Sequence, residues 1–130
     1  MPLKPLKLKE RIDRLDAFEK WRLLKRRVPE AEPTIKQDAN EAGMYALYIL
    51  KHRWPEAEAK IMKGDMATAY AYQLIKGRWP EAEPYIMKNP PQAFSYALNI
   101  LKRPWPEAEP YIKKDRDNWM MYQYHVLNKQ

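Results

Sequence analysis

Apolar positions recur along the chain in a fixed order. Val28, Trp54, Trp79 and Trp105 each stand one residue before a Pro-Glu-Ala-Glu run, and these runs begin at Pro29, Pro55, Pro80 and Pro106, spaced 26, 25 and 26 residues apart. An isoleucine follows seven residues after each large apolar residue: Ile35, Ile61, Ile86 and Ile112. A tyrosine comes next (Tyr45, Tyr70, Tyr96, Tyr122), then an aliphatic pair (Ile49-Leu50, Leu74-Ile75, Ile100-Leu101, Val126-Leu127). Self-similarity at a fixed period is the signature of a repeat architecture.

Each unit predicts two helices. Proline at the first helical position loses nothing, because its missing N–H would be unpaired there anyway. Two glutamates then sit where the helix dipole favours negative charge. A second proline, Pro33, Pro84 or Pro110, comes four residues after the first and removes an early hydrogen bond. The first helix is therefore expected to be short and partly 3₁₀; Ala59 takes that place in the second unit. Turn and cap residues follow at Asp38, Gly64-Asp65, Asn89-Pro90-Pro91 and Asp115. The second helix carries Ala67, Tyr70, Ala71, Leu74 and Ile75, or Ala93, Tyr96, Ala97, Ile100 and Leu101, one face of a 3.6-residue period. Lys51, Lys76 and Lys102 close it, as the negative end of the dipole favours.

Pairs of short helices cannot bury such faces alone, so the units must stack. The expected fold is all-α: a right-handed, short helical-repeat solenoid of four helix pairs, 28–53, 54–78, 79–104 and 105–130, behind an N-terminal capping helix. Residues 1–27 supply a basic arm and that cap, and the whole forms one structural domain. Residues 10–27 read as a single helix, whose Leu23-Leu24-Lys25 end matches the end of a second helix elsewhere. The tryptophan column reads as indoles packed between adjacent units. The period is shorter than that of tetratricopeptide, ankyrin or HEAT repeats.

Composition narrows the chemistry. Of 130 residues, 45% are hydrophobic and 32% charged, which fits a folded soluble chain rather than a disordered one. With no cysteine there are no disulfides, no thiol catalysis and no cysteine zinc site. His52 and His125 have no suitable ligand neighbour one helical turn away, and three glycines make no phosphate loop. No catalytic residue, cofactor or metal ligand is therefore assigned. No apolar run reaches the roughly 20 residues of a membrane helix, and the N-terminus has no apolar stretch of the signal-peptide kind.

The run Lys-Gly-Arg-Trp-Pro-Glu-Ala-Glu-Pro-Tyr-Ile-Met-Lys at 76–88, followed by a Tyr/Ala helix, carries a resemblance. It resembles the short Trp-Pro-Glu-Ala-Glu helical repeats of uncharacterised proteins of tailed bacteriophages and prophages. The likeness covers residues 28–130. It implies a phage-encoded protein in the cytoplasm of a bacterial host, acting by binding a host or phage protein, a defence system included. It carries no named biochemical activity, and the non-enzymatic reading rests on the absence of a nucleophile–base or metal constellation.

Two candidate surfaces remain. The fourth unit breaks the pattern with Trp119, Met120, Met121 and Tyr124, although a repeat array normally ends in a polar face. These residues are the candidate protein-binding site, for a host or phage partner or for a homodimer through the C-terminal repeat. The alternative is nucleic acid. Residues 1–27 hold ten Lys/Arg against four Asp/Glu, a charge of +6, while 28–130 hold fourteen against thirteen. Lys20, Arg22, Lys25, Arg26 and Arg27 are its densest cluster, suited to phosphates. The residue three after each repeat tyrosine also varies among hydrogen-bonding types: Tyr48, Gln73, Asn99 and His125. Beside it Leu47, Tyr72, Leu98 and Tyr124 alternate between aliphatic and aromatic. Helical repeats that read RNA vary one polar side chain per repeat in this way. The paired glutamates (Glu30/Glu32, Glu56/Glu58, Glu81/Glu83, Glu107/Glu109) instead read as dipole partners and as ion-pair partners of Arg53, Arg78 or Arg103.

Overall fold

A computed structural model describes residues 4–128. Among these residues every secondary-structure element is helical, and there is no strand. The first pair is α1 (Leu8–Asp13) and α2 (Ala17–Leu24). The chain therefore breaks where one helix was expected. The cause is Asp16, whose carboxylate accepts the Glu19 N–H at 2.8 Å and starts α2 as a side-chain cap.

The four units follow. In the first, a 3₁₀ turn (Pro29–Ala31) leads into α3 (Glu32–Ile35), and α4 (Ala39–Tyr45) forms the second helix. The second unit has α5 (Pro55–Ile61) and α6 (Ala67–Tyr70). The third has α7 (Glu83–Ile86) and α8 (Pro90–Tyr96). The fourth has a 3₁₀ turn (Pro106–Ala108), α9 (Glu109–Ile112) and α10 (Arg116–Tyr122). The second proline explains the difference at the start of each unit. Pro33, Pro84 and Pro110 have no N–H to give the carbonyl four residues back, so regular α-helix begins only at the preceding glutamate. In the second unit Ala59 supplies that N–H, and α5 runs unbroken from Pro55.

Asp38, Asn89 and Asp115 cap the second helices, as expected. Asp65 does not. Its own N–H donates to Asn40 Oδ1 of the unit before at 3.0 Å, and α6 starts one residue later without a side-chain cap. Each second helix ends in a wide five-residue π turn: Ala46–Leu50, Ala71–Ile75, Ala97–Leu101 and Gln123–Leu127. In the inner units a lysine then adopts the left-handed conformation, with φ of 59° at Lys51, 63° at Lys76 and 55° at Lys102. Lys25 does the same after α2, at 50°. The first segment thus terminates as a repeat does. The left-handed residue halts the helix, a position glycine usually fills.

The units pack in order: α4 lies against α5, α6 against α8, and α8 against α10. Tyr45, Tyr70, Tyr96 and Tyr122 are fully buried, with Ile35, Ile61, Ile86 and Ile112. Two alanines per inner unit, Ala42/Ala46, Ala67/Ala71 and Ala93/Ala97, are also fully buried and let neighbouring layers approach. The tryptophans lie between units, each against the tyrosine of the unit before. Centroids are 5.4 Å apart for Tyr45 and Trp54, and 5.0 Å for Tyr70 and Trp79 and for Tyr96 and Trp105. The expected column of indoles is an alternation of Tyr and Trp.

Candidate binding surfaces

A polar network inside each layer fixes what the surfaces display. In the second unit the Trp54 N–H donates to the Tyr70 hydroxyl at 2.7 Å, and that hydroxyl donates to Glu58 at 2.6 Å. Arg53 grips the same carboxylate with two N–H groups, at 2.9 and 2.8 Å. The first unit repeats this with Val28, Tyr45, Glu32 and Arg27, and the third with Trp79, Tyr96, Glu83 and Arg78. The fourth keeps Trp105, Tyr122 and Glu109 but has Pro104 in place of the arginine. Arg103 bonds the Pro104 carbonyl instead of a repeat glutamate.

The network shifts its members in opposite directions. Hydrogen bonds from Arg27 and Arg53 hold Glu32 and Glu58 below the usual carboxylate range. At Glu83, burial pulls upward, but Arg78 and Tyr96 together outweigh it and the net shift is down. Burial, reinforced by the neighbouring glutamate, pushes Tyr45 and Tyr122 up to about 12, and raises Tyr70 and Tyr96 as well. Displaced pKa values often mark functional sites. Here they recur in successive layers around a buried N–H, which is a structural role.

The basic cluster of the first segment is divided by the fold. Arg22 pairs with Glu41, a buried carboxylate that also accepts the Trp21 indole N–H at 2.9 Å. Arg27 is held by Glu32, and Arg26 bonds the Arg27 carbonyl. Lys20 is half-buried and Lys25 exposed. Two of the five cations thus serve to clamp α2 and the first unit.

The far end of the array is built differently. Gly43 and Thr68, the register counterparts of Met120, touch the following layer. A Cβ on Gly43 would lie 2.5 Å from the Met66 Cβ, and Thr68 bonds Gln92. Met120 is 56% exposed, Met121 46% and Tyr124 62%. Trp119 is not part of this open face. It is half-buried, stacked on Tyr122, with the Lys113 ammonium 5.0 Å from its ring centre. It also stands in the register of Ala42, Ala67 and Ala93.

The variable column lies along the second helices. Tyr48, Gln73 and Asn99 are exposed. His125 is half-buried, between Phe94 at 6.0 Å and Tyr124 at 4.9 Å. Gln73 and Asn99 line one cleft with Tyr72, between the second helices of units two and three. Lys76 and Lys102 flank its continuation. In the sequence these lysines register only as helix ends. The signal for their second placement is their spacing, one turn after Tyr72 and Asn99. Among the described residues no group of acidic and histidine side chains is placed to hold a metal ion, and no helix is long and apolar enough to cross a membrane. No family model, curated protein or solved structure matches the chain.

Proposed function

We propose that the protein is a non-enzymatic interaction module whose fourth unit docks a protein partner through Met120, Met121 and Tyr124. One observation supports this reading above others: Met120 is exposed at the register where Gly43 and Thr68 meet the following unit, and Met121 and Tyr124 are exposed beside it. Clustered exposed apolar residues mark interaction surfaces more often than isolated ones do. Methionine adapts its shape to a partner, and tyrosine joins apolar area to a polar tip. Trp119 supports the face from beneath rather than forming it. The resemblance to phage repeats makes a host or phage protein the partner, met in the bacterial cytoplasm. The absence of catalysis rests on the sequence, which offers no nucleophile–base pair.

The test compares the wild-type protein with Met120→Glu/Tyr124→Glu. Both are immobilised and exposed to lysates of a bacterial host, infected and uninfected. The reading expects a protein retained by the wild type and lost by the variant, with thermal unfolding unchanged. Equal retention by both overturns it. A dimer in sedimentation that the variant converts to monomer would give the face to a second copy instead.

A further inference from the structure

The second helices of units two and three run side by side, and the cleft between them holds two hollows of about 340 and 410 Å³. Tyr72 and Asn99 wall both. Tyr72 exposes 57% of its surface. Asn99 Nδ2 donates to Ser95 Oγ at 3.2 Å, which leaves its amide oxygen for a ligand. The Gln73 side chain makes no hydrogen bond among the described residues. Lys76 and Lys102 flank the second hollow, and among the described residues neither ammonium has a carboxylate partner. Both lysines occupy a left-handed position that glycine fills more easily, as Lys25 and Lys51 do.

The cleft is set before any ligand arrives. Gln92 ties its two helices together: its Oε1 accepts the Thr68 N–H at 3.0 Å, its Nε2 donates to the Gly64 carbonyl at 3.0 Å, and its own carbonyl accepts the Thr68 hydroxyl at 3.3 Å. A preformed cleft loses less on binding than one that must be ordered.

We propose that this cleft binds single-stranded nucleic acid. A base stacks on Tyr72, the Gln73 and Asn99 amides bond its edge, and Lys76 and Lys102 take the flanking phosphates. An acidic peptide would satisfy the two ammonium groups and leave the ring and amides unused. A duplex keeps its bases stacked and paired, out of reach of a side-chain cleft. The same face continues on the preceding unit, where Tyr48 is exposed one turn before Lys51. A strand that continues along this face meets an exposed ring and a cation in both unit one and unit two. This site is separate from the end face of the fourth unit, and neither depends on the other.

The experiment is fluorescence anisotropy of labelled oligo-U, oligo-A and oligo-dT with the full chain, across a salt series. Micromolar or tighter binding at low salt is expected for a ribo- or deoxyribo-oligomer. Tyr72→Ala should weaken it about tenfold, within the range for loss of one stacked base, while Tyr72→Phe keeps it. Gln73→Ala/Asn99→Ala should flatten any preference among bases. Lys76→Ala/Lys102→Ala should lower the slope of log K against log salt by about 1.4. These positions line a surface cleft, and thermal unfolding confirms each variant's fold. Absence of binding at low salt overturns the proposal. So does wild-type affinity in both Tyr72→Ala and the amide pair, which would move the contact to the basic first segment. Competition by poly-glutamate as strong as by unlabelled oligonucleotide also overturns it.

Discussion

Trp119 stacks on Tyr122 with ring centres 5.5 Å apart and planes 19° from parallel. Each earlier repeat tyrosine meets the tryptophan of the next unit at 5.0 to 5.4 Å. The fourth repeat tyrosine thus receives from its own helix the indole that the others receive from a neighbour. Gln123 completes the change, since it is exposed where Ala46, Ala71 and Ala97 are fully buried. A fifth layer docked in the same way would meet an indole and an amide where the inner layers present methyl groups.

That role sets the first prediction. Trp119→Ala should destabilise the fold by about 2 kcal/mol, below the 3–5 typical of a fully buried tryptophan because this one is half-exposed. Met120→Ala should change stability by less than about 0.5 kcal/mol, as exposed substitutions do. Urea unfolding of the two variants separates them. Equal effects would mean that the indole does not close the core.

The tyrosine hydroxyl sits at the centre of each layer, accepting one bond and donating another. Tyr70→Phe keeps the ring and leaves the Trp54 N–H, now bonded at 2.7 Å, without a partner. A buried unpaired donor costs about 1–3 kcal/mol, and the variant should lose that much in urea unfolding. A loss near zero would show that water replaces the hydroxyl.

The same network gives stability a pH dependence of known sign. Glu32, Glu58 and Glu83 titrate below their ordinary value in the folded chain. The unfolded chain therefore takes up protons first on acidification. Their contribution is complete above the unfolded value of about 4.3 and is lost as pH falls through the folded values. At the other extreme Tyr45 and Tyr122 are raised to about 12, so stability declines between about pH 10, where free phenols ionise, and 12. Thermal midpoints across pH should fall on both sides, and Glu58→Gln should flatten the acid limb. An acid limb unchanged in that variant would remove Glu58 as one of its causes.

The sequence makes the layers legible because periodicity survives without knowledge of contacts. The proline spacing predicts the 3₁₀ start of the first helix, and Ala59 marks the unit where α-helix begins at once. The tyrosine column predicts the core. Partnerships across space are harder to read. Arg27 stands five residues before Glu32, the same offset as Arg53 and Glu58, yet its position in a basic run hides the pairing. Asp16 breaks the first segment through an Asp-Ala-Phe-Glu start that helical periodicity masks. Trp119 is unusual in the sequence, but whether it faces outward or folds over Tyr122 depends on a rotamer that no pattern encodes. The cleft needs two helices from different units, so only the lysine and amide columns taken together could indicate it.

Gly43 sets how closely the first two layers approach. A Cβ there would lie 2.5 Å from the Met66 Cβ and 3.0 Å from its Cγ, closer than carbon atoms pack. The clash involves the root of the Met66 side chain, which cannot swing aside, so the second helices must separate. In an isolated helix Gly→Ala gains roughly 1 kcal/mol from propensity. Overpacking typically costs about 1–3 kcal/mol, and the steric term should prevail, making Gly43→Ala less stable than the parent. The spacing is not fixed for every layer, since Thr68 and Phe94 occupy the same register. The cause is therefore local to the Gly43 and Met66 pair, and a double-mutant cycle with Met66→Gly isolates it. Calorimetric melting should show Gly43→Ala to be destabilising in the parent background and stabilising once Met66→Gly has removed the opposing carbons. Stabilisation in both backgrounds would mean that the layers part at no cost and that glycine does not set their distance.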